Sequence, residues 1–112
     1  MAFCVYNNTT DAKVTFEETA GGSLSTNCLT RWFKATNLKP GENQCCHWSN
    51  ECCNGGGAGD SRIQFSITVE TINDPMGYKV YFDATIQAGG ALEVTGSKTG
   101  VSSTYQYKTH GY

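Results

Sequence analysis

Four of the six cysteines fall within nine consecutive residues, Cys45-Cys46-His47-Trp48-Ser49-Asn50-Glu51-Cys52-Cys53. Neighbouring side chains on extended backbone point to opposite sides, so Cys45 and Cys46 need different partners, as do Cys52 and Cys53. Six cysteines allow about 15 pairings. The arrangement this geometry favours puts one bridge inside the cluster and ties its other two cysteines to Cys4 and Cys28. A metal is the other use of such density, with Cys45, Cys46, His47, Cys52 and Cys53 as the ligand pool. Zinc sites separate paired cysteines by two to four residues so that both side chains converge, and adjacent cysteines do this poorly. No Cys-x-x-Cys pair is present to support thiol exchange. The expectation is three structural disulfides with no metal and no cofactor.

A disulfide framework implies an oxidising compartment, and composition agrees. Only 16% of the 112 residues are charged and 38% are hydrophobic, so neutral Thr, Ser, Asn and Gly make much of the polar surface. The formal net charge is -2, with Lys and Arg scattered singly. No basic stripe is available to displace counterions from a phosphate backbone, which argues against nucleic acid. No apolar run approaches the ~18 residues of a membrane span. Met1-Ala2-Phe3-Cys4 is too short for a signal-peptide core, and Met1 is read as added to a mature secreted form. Asn7-Asn8-Thr9-Thr10 holds two overlapping glycosylation acceptors, at Asn7 and Asn8.

Alternation of apolar and polar residues predicts strands throughout. Val14 and Phe16 alternate with Lys13, Thr15 and Glu17. Ile63, Phe65, Ile67 and Val69 share one face, with Gln64, Ser66, Thr68 and Glu70 on the other. Tyr78, Val80, Phe82, Ala84 and Ile86 repeat the pattern. Further strands are expected at Ala2 to Tyr6, at Leu29 to Asn37, around Leu92 and Val94, and around Tyr105 and Tyr107, about seven in all. Turn signals separate them, including Ala20-Gly21-Gly22-Ser23, Lys39-Pro40-Gly41-Glu42 and Asn73-Asp74-Pro75-Met76-Gly77. The expected fold is all-β, one antiparallel β-sandwich domain over residues 1–112, with a long cysteine-rich loop at 41–61. Sandwich edges and faces readily pair, which admits a homodimer.

Catalysis would need a base, an acid and a charge stabiliser brought together. The inventory is thin: His47, His110, Arg62, Glu51, Asp60 and Asp83, none in a recognisable motif. Gly55 to Gly59 lacks the Lys and Ser/Thr of a phosphate loop. The chain is therefore read as non-enzymatic, and its aromatic residues as its functional asset. Trp48 stands among His47, Ser49 and Asn50 in the stapled loop, where a large ring either covers a disulfide or meets a ligand. Tyr81 falls on the polar side of its strand with Lys79, Asp83 and Thr85, a patch suited to a sugar. Trp32 and Phe33, flanked by Arg31 and Lys34, suggest the alternative of contact with a membrane interface.

The opening Phe3-Cys4-Val5-Tyr6-Asn7-Asn8-Thr9, the Leu38-Lys39-Pro40-Gly41-Glu42 turn and the strand-rich remainder resemble small fungal fruiting-body β-sandwich proteins: lectins, immunomodulatory proteins and aegerolysin-like lipid binders. The doubled cysteine pairs depart from aegerolysins. The resemblance implies recognition of a glycan or receptor on other cells, in defence or immune modulation, with lipid binding as the alternative. The composition is also similar to small acidic fungal ribonucleases, which implies a secreted hydrolase as a third reading. On the leading reading His47, Trp48, Asn50, Tyr81 and Asp83 are the ligand-contacting candidates, with the stapled loop as the main contact surface.

Overall fold

Inward and outward positions alternate along the strands, and two four-stranded sheets close over the inward set. The structure, a computed structural model, describes residues 2–25, 28, 32–47, 50 and 52–111. Its strands are β1 (Ala2–Thr9), β2 (Ala12–Ala20), β3 (Lys34–Leu38), β4 (Asn43–His47) and β5 (Arg62–Thr71). There follow β6 (Lys79–Gln87), β7 (Ala91–Gly96), β8 (Lys98–Thr99), β9 (Ser102–Ser103) and β10 (Gln106–His110). The first sheet has the order β10-β7-β1-β4 and the second β3-β2-β5-β6, while β8 and β9 form a small hairpin. Every pairing is antiparallel except β1 with β7, which run parallel. No helix among the described residues is long and apolar enough to cross a membrane.

Among the described residues ten strands stand where about seven were expected. Two of the additions are the short β8 and β9. The third, β4, lies inside the segment read as a loop at 41–61, where Cys45 sits directly opposite Cys4 in the ladder with β1. Its sequence, Asn-Gln-Cys-Cys-His, carries no apolar alternation, because this edge strand is held by a disulfide as much as by burial. The run expected as a strand at Leu29 to Asn37 is shorter, beginning only at Lys34, and Leu29, Thr30 and Arg31 lie outside the described residues.

All six cysteines are bridged, as Cys4–Cys45, Cys28–Cys52 and Cys46–Cys53, so no thiolate remains for a metal. The alternation argument holds in detail. Cys45 faces outward to Cys4, while Cys46 pairs in register with the buried Phe3 and reaches Cys53, which is itself in the core. The bridges close chain separations of 41, 24 and 7 residues. The chain-entropy model assigns them about 4, 3.5 and 2.5 kcal/mol.

The core runs the length of the sandwich. Val14, Phe16, Ile63, Phe65, Ile67 and Val69 of the second sheet meet Phe3, Val5, Leu92 and Val94 of the first. Phe3, Phe33 and Phe65 form an edge-to-face triad with centroids 5.0, 5.7 and 5.9 Å apart. Each such contact adds ~1 kcal/mol beyond burial. At the end away from the cysteines, the Tyr105 hydroxyl donates to Asp11 Oδ1 (2.6 Å) and shares a hydrogen bond with Thr71 Oγ1 (2.8 Å). Lys98 pairs there with Asp74 at 3.0 Å.

Asn7 is buried where the chain crosses between sheets. Its side-chain amide donates to the carbonyls of Ala12 (2.8 Å) and Leu38 (2.7 Å). Its Oδ1 accepts from the Thr9 amide (3.0 Å) and hydroxyl (2.6 Å). A glycan on that nitrogen would displace both carbonyls, so Asn7 is withdrawn as an acceptor, whereas Asn8 is exposed. Asn7→Ala should lower the unfolding free energy by about 3 kcal/mol, since it leaves buried carbonyls without donors. Asn8→Ala should stay within about 0.5 kcal/mol. Denaturant melts of the two variants check this, and equal losses would refute the special role of the buried amide.

Candidate functional site

The outward positions of β5 and β6 are set opposite one another by the antiparallel register: Thr68 with Tyr81, Ser66 with Asp83, Gln64 with Thr85 and Arg62 with Gln87. Lys13 and Lys79 contact Glu70 at 3.1 and 3.9 Å, and Lys34 contacts Glu17 at 3.2 Å. Between these ion pairs the face is built from hydroxyls and amides. Thr15 Oγ1 accepts the Asn37 N–H at 3.0 Å, in a bulge that Asn37 permits by adopting φ 53°. Tyr81, on the edge strand β6, is 69% exposed. Along the same strand lies a cleft of about 320 Å³ lined by Thr19, Gln64, Asp83 and Thr85, with Phe65 and Ala84 as its floor.

A second cleft of about 250 Å³ opens where β6 meets β10, lined by Arg62, Thr85, Gln87, Thr109 and His110 among others. The edges of the two sheets lie against each other here, with the Phe82 and Tyr107 rings 5.5 Å apart. Gly90 helps set the position of β10, because a Cβ there would collide with the His110 carbonyl.

The ligand-contacting candidates, the stapled loop and the Tyr81 patch, lie in two places. Tyr81 and Asp83 stand on the outer face of the second sheet. His47 ends β4, the far edge of the first sheet. Because β10 lies over β6, β4 lies over β3, and the two groups occupy diagonal corners. Asn50 shapes the loop backbone: its Oδ1 accepts the Cys52 N–H (3.0 Å) and its carbonyl accepts those of Cys53 (3.1 Å) and Asn54 (2.9 Å). Trp48 lies outside the described residues, as do Ser49 and Glu51. Phe33 does not face a membrane: it is 7% exposed and belongs to the phenylalanine triad. Trp32 is half-buried, with its indole N–H donating to the Ser23 carbonyl at 2.9 Å. Phe33 packs into the core, while the Trp32 ring lies against Gly22. The hydrolytic set is divided as well. Arg62 and His110 share the second cleft, while His47 is on the opposite edge of the first sheet, three strand spacings or roughly 14 Å away.

Perturbed titrations belong to the framework. The Asp74 carboxyl is held below its usual range, chiefly by the Met76 N–H and then by Lys98. Glu93 is lowered first by the Asn8 amide and then by His110. Tyr105 is pushed up to about 12 by burial, with Asp11 adding to it. Glu18, with Oε1 3.3 Å from the Phe33 N–H and Oε2 buried without a hydrogen-bond partner, is raised to about 7 by desolvation.

The structure adds Gln64 and Thr19 to the Asp83 and Thr85 side of the Tyr81 patch. The polar side of each strand can be read from alternation, but the register that lines up two such sides cannot. Neither a family model, nor a curated protein, nor a solved structure matches this chain.

Glu18 gives a pH signature. Its folded pKa of about 7 exceeds the ~4.3 of an unfolded glutamate, so between those values the folded chain keeps a proton that the unfolded chain has released. The stability it contributes is complete below the unfolded pKa and is lost as pH rises to about 7. Thermal melts between about pH 4 and 8 should show the native protein losing about 3 kcal/mol relative to Glu18→Gln. Parallel curves would mean that this carboxyl does not titrate there.

Proposed function

We propose that the protein is a secreted, non-catalytic recognition module that binds glycan through the outer face of β5 and β6. The observation that carries this reading is the exposed Tyr81 ring beside a cleft walled by Thr19, Gln64, Asp83 and Thr85. A sugar ring offers a C–H face, which suits the negative face of an aromatic ring, and a rim of hydroxyls that need paired donors and acceptors. An amide, a carboxylate and two hydroxyls supply both. Their placement on paired strands means that little conformational entropy is lost on binding. The three disulfides suit the oxidising environment in which such proteins act. A part in defence or immune modulation follows from the resemblance to fruiting-body proteins, as a corollary of glycan recognition.

A glycan array followed by titration of the best ligand tests this. Tyr81→Ala should weaken binding at least about tenfold, ~1.4 kcal/mol, with an unchanged melting temperature because the ring is exposed. Trp48→Ala should leave affinity intact. The reverse pattern would move the contact surface to the cysteine-rich loop. Product release from glycan or RNA at stoichiometric protein would replace recognition by catalysis.

A further inference from the structure

The two clefts share Thr85 as a common wall. From Tyr81 to Gln87 the outward side of β6 runs roughly 20 Å, long enough for an oligosaccharide. Its ends differ in charge. Asp83 lies toward the Tyr81 end. Arg62, in register with Gln87, lies with His110 at the other, roughly 14 Å from the Asp83 row.

Arg62, like Lys39 and Lys108, makes no ion pair among the described residues. Lys13, Lys34, Lys79 and Lys98 each contact a carboxylate. Among the described residues no carboxylate lies within ion-pair distance of Arg62, and no hydrogen bond engages its guanidinium. An unpaired guanidinium in a cleft with an amide and a hydroxyl presents a planar donor fork to an oxyanion. His110 lines the same cleft, its Nε2 held 3.1 Å from Glu93 Oε1. The chain as a whole is acidic, with a formal net charge of -2, so this is a local attraction rather than a general basic field.

We propose that the β6–β10 cleft is an acidic-group subsite, in which Arg62 binds the carboxylate or sulfate ester of an acidic saccharide lying along β6. Thr109 adds a hydroxyl to the same cleft. Asp83 repels the acidic group from the far end, so the ligand enters in one orientation. This rests on the glycan reading and adds its ligand class.

Titration of the intact protein with sialyllactose, a sulfated heparin tetrasaccharide and uncharged lactose distinguishes the cases. The native protein should bind one of the acidic probes at least about tenfold more tightly than lactose, and the preferred probe identifies carboxylate or sulfate. Arg62→Gln should erase that preference while keeping the lactose affinity and the melting temperature. Arg62→Lys should restore only part of it, since the fork is lost. Tyr81→Ala should weaken acidic and neutral probes together. Equal affinity of the native protein for acidic and neutral probes, or a preference that survives Arg62→Gln, would overturn the subsite and leave the glycan reading standing. Failure to bind any saccharide on these probes and the array would overturn both.

Discussion

A single buried amide fixes how the two sheets meet. Asn7 lies on β1 of the first sheet, yet its side chain donates to the carbonyls of Ala12 and Leu38, at the start of β2 and the end of β3 in the second. Its own backbone bonds Gly41 and Glu42, in the turn that brings the chain back to the first sheet. Two chain crossings are thereby joined at one residue. Buried polar groups are costly when unpaired, so a network in which each Asn7 group finds its partner tolerates few alternatives. With that corner fixed, β10 comes to rest over β6 at the other side. The lateral opening between them is the second cleft.

The opposite end is secured by covalent bonds and aromatic packing. Cys28 and Cys53 are buried, and Cys46 packs against the core in register with Phe3, so the polar segment around these bridges needs no strong β-propensity. Glu18 is the flaw in this arrangement. It stands on the inward side of β2, where Val14 and Phe16 would predict another apolar residue, and its carboxylate is only half satisfied. Its Oε1 and its backbone N–H both meet Phe33, which anchors the chain as it returns to β3. The cost is borne as a raised pKa.

The layers were legible because alternation in β2, β5 and β6 is a direct imprint of burial. The disulfide pairing was legible for a related reason: adjacent cysteines on a strand must diverge. Strand β4 was not, because its pairing rests on Cys4–Cys45 and the β1 ladder rather than on a hydrophobic side. Phe33 misled because sequence position alone does not tell an exposed ring from one packed into a core. Tyr81 and Asp83 were read on the correct side of their strand. The division of the binding candidates between diagonal corners could not be read, since it follows from sheet order, a long-range property.

The proposed contact surface sits on strands rather than in the longest loop, and this has a physical consequence. A contact surface in residues 50–61 would rest on turns whose backbone is shaped by Asn50 and by glycines. Tyr81, Asp83, Thr85 and Gln87 are instead spaced by the ladder, each opposite a polar partner on β5, and the core beneath them holds that spacing. Sugar recognition depends on several weak hydrogen bonds made at once, and each loses value if its partners must first be ordered. A flat, rigid, mostly uncharged strand pair therefore suits the polyhydroxylated part of such a ligand. In the proposed subsite the Arg62 guanidinium at its end provides what that surface lacks, a strong interaction with a defined position that would set the register of the ligand while the neutral groups supply contact along its length.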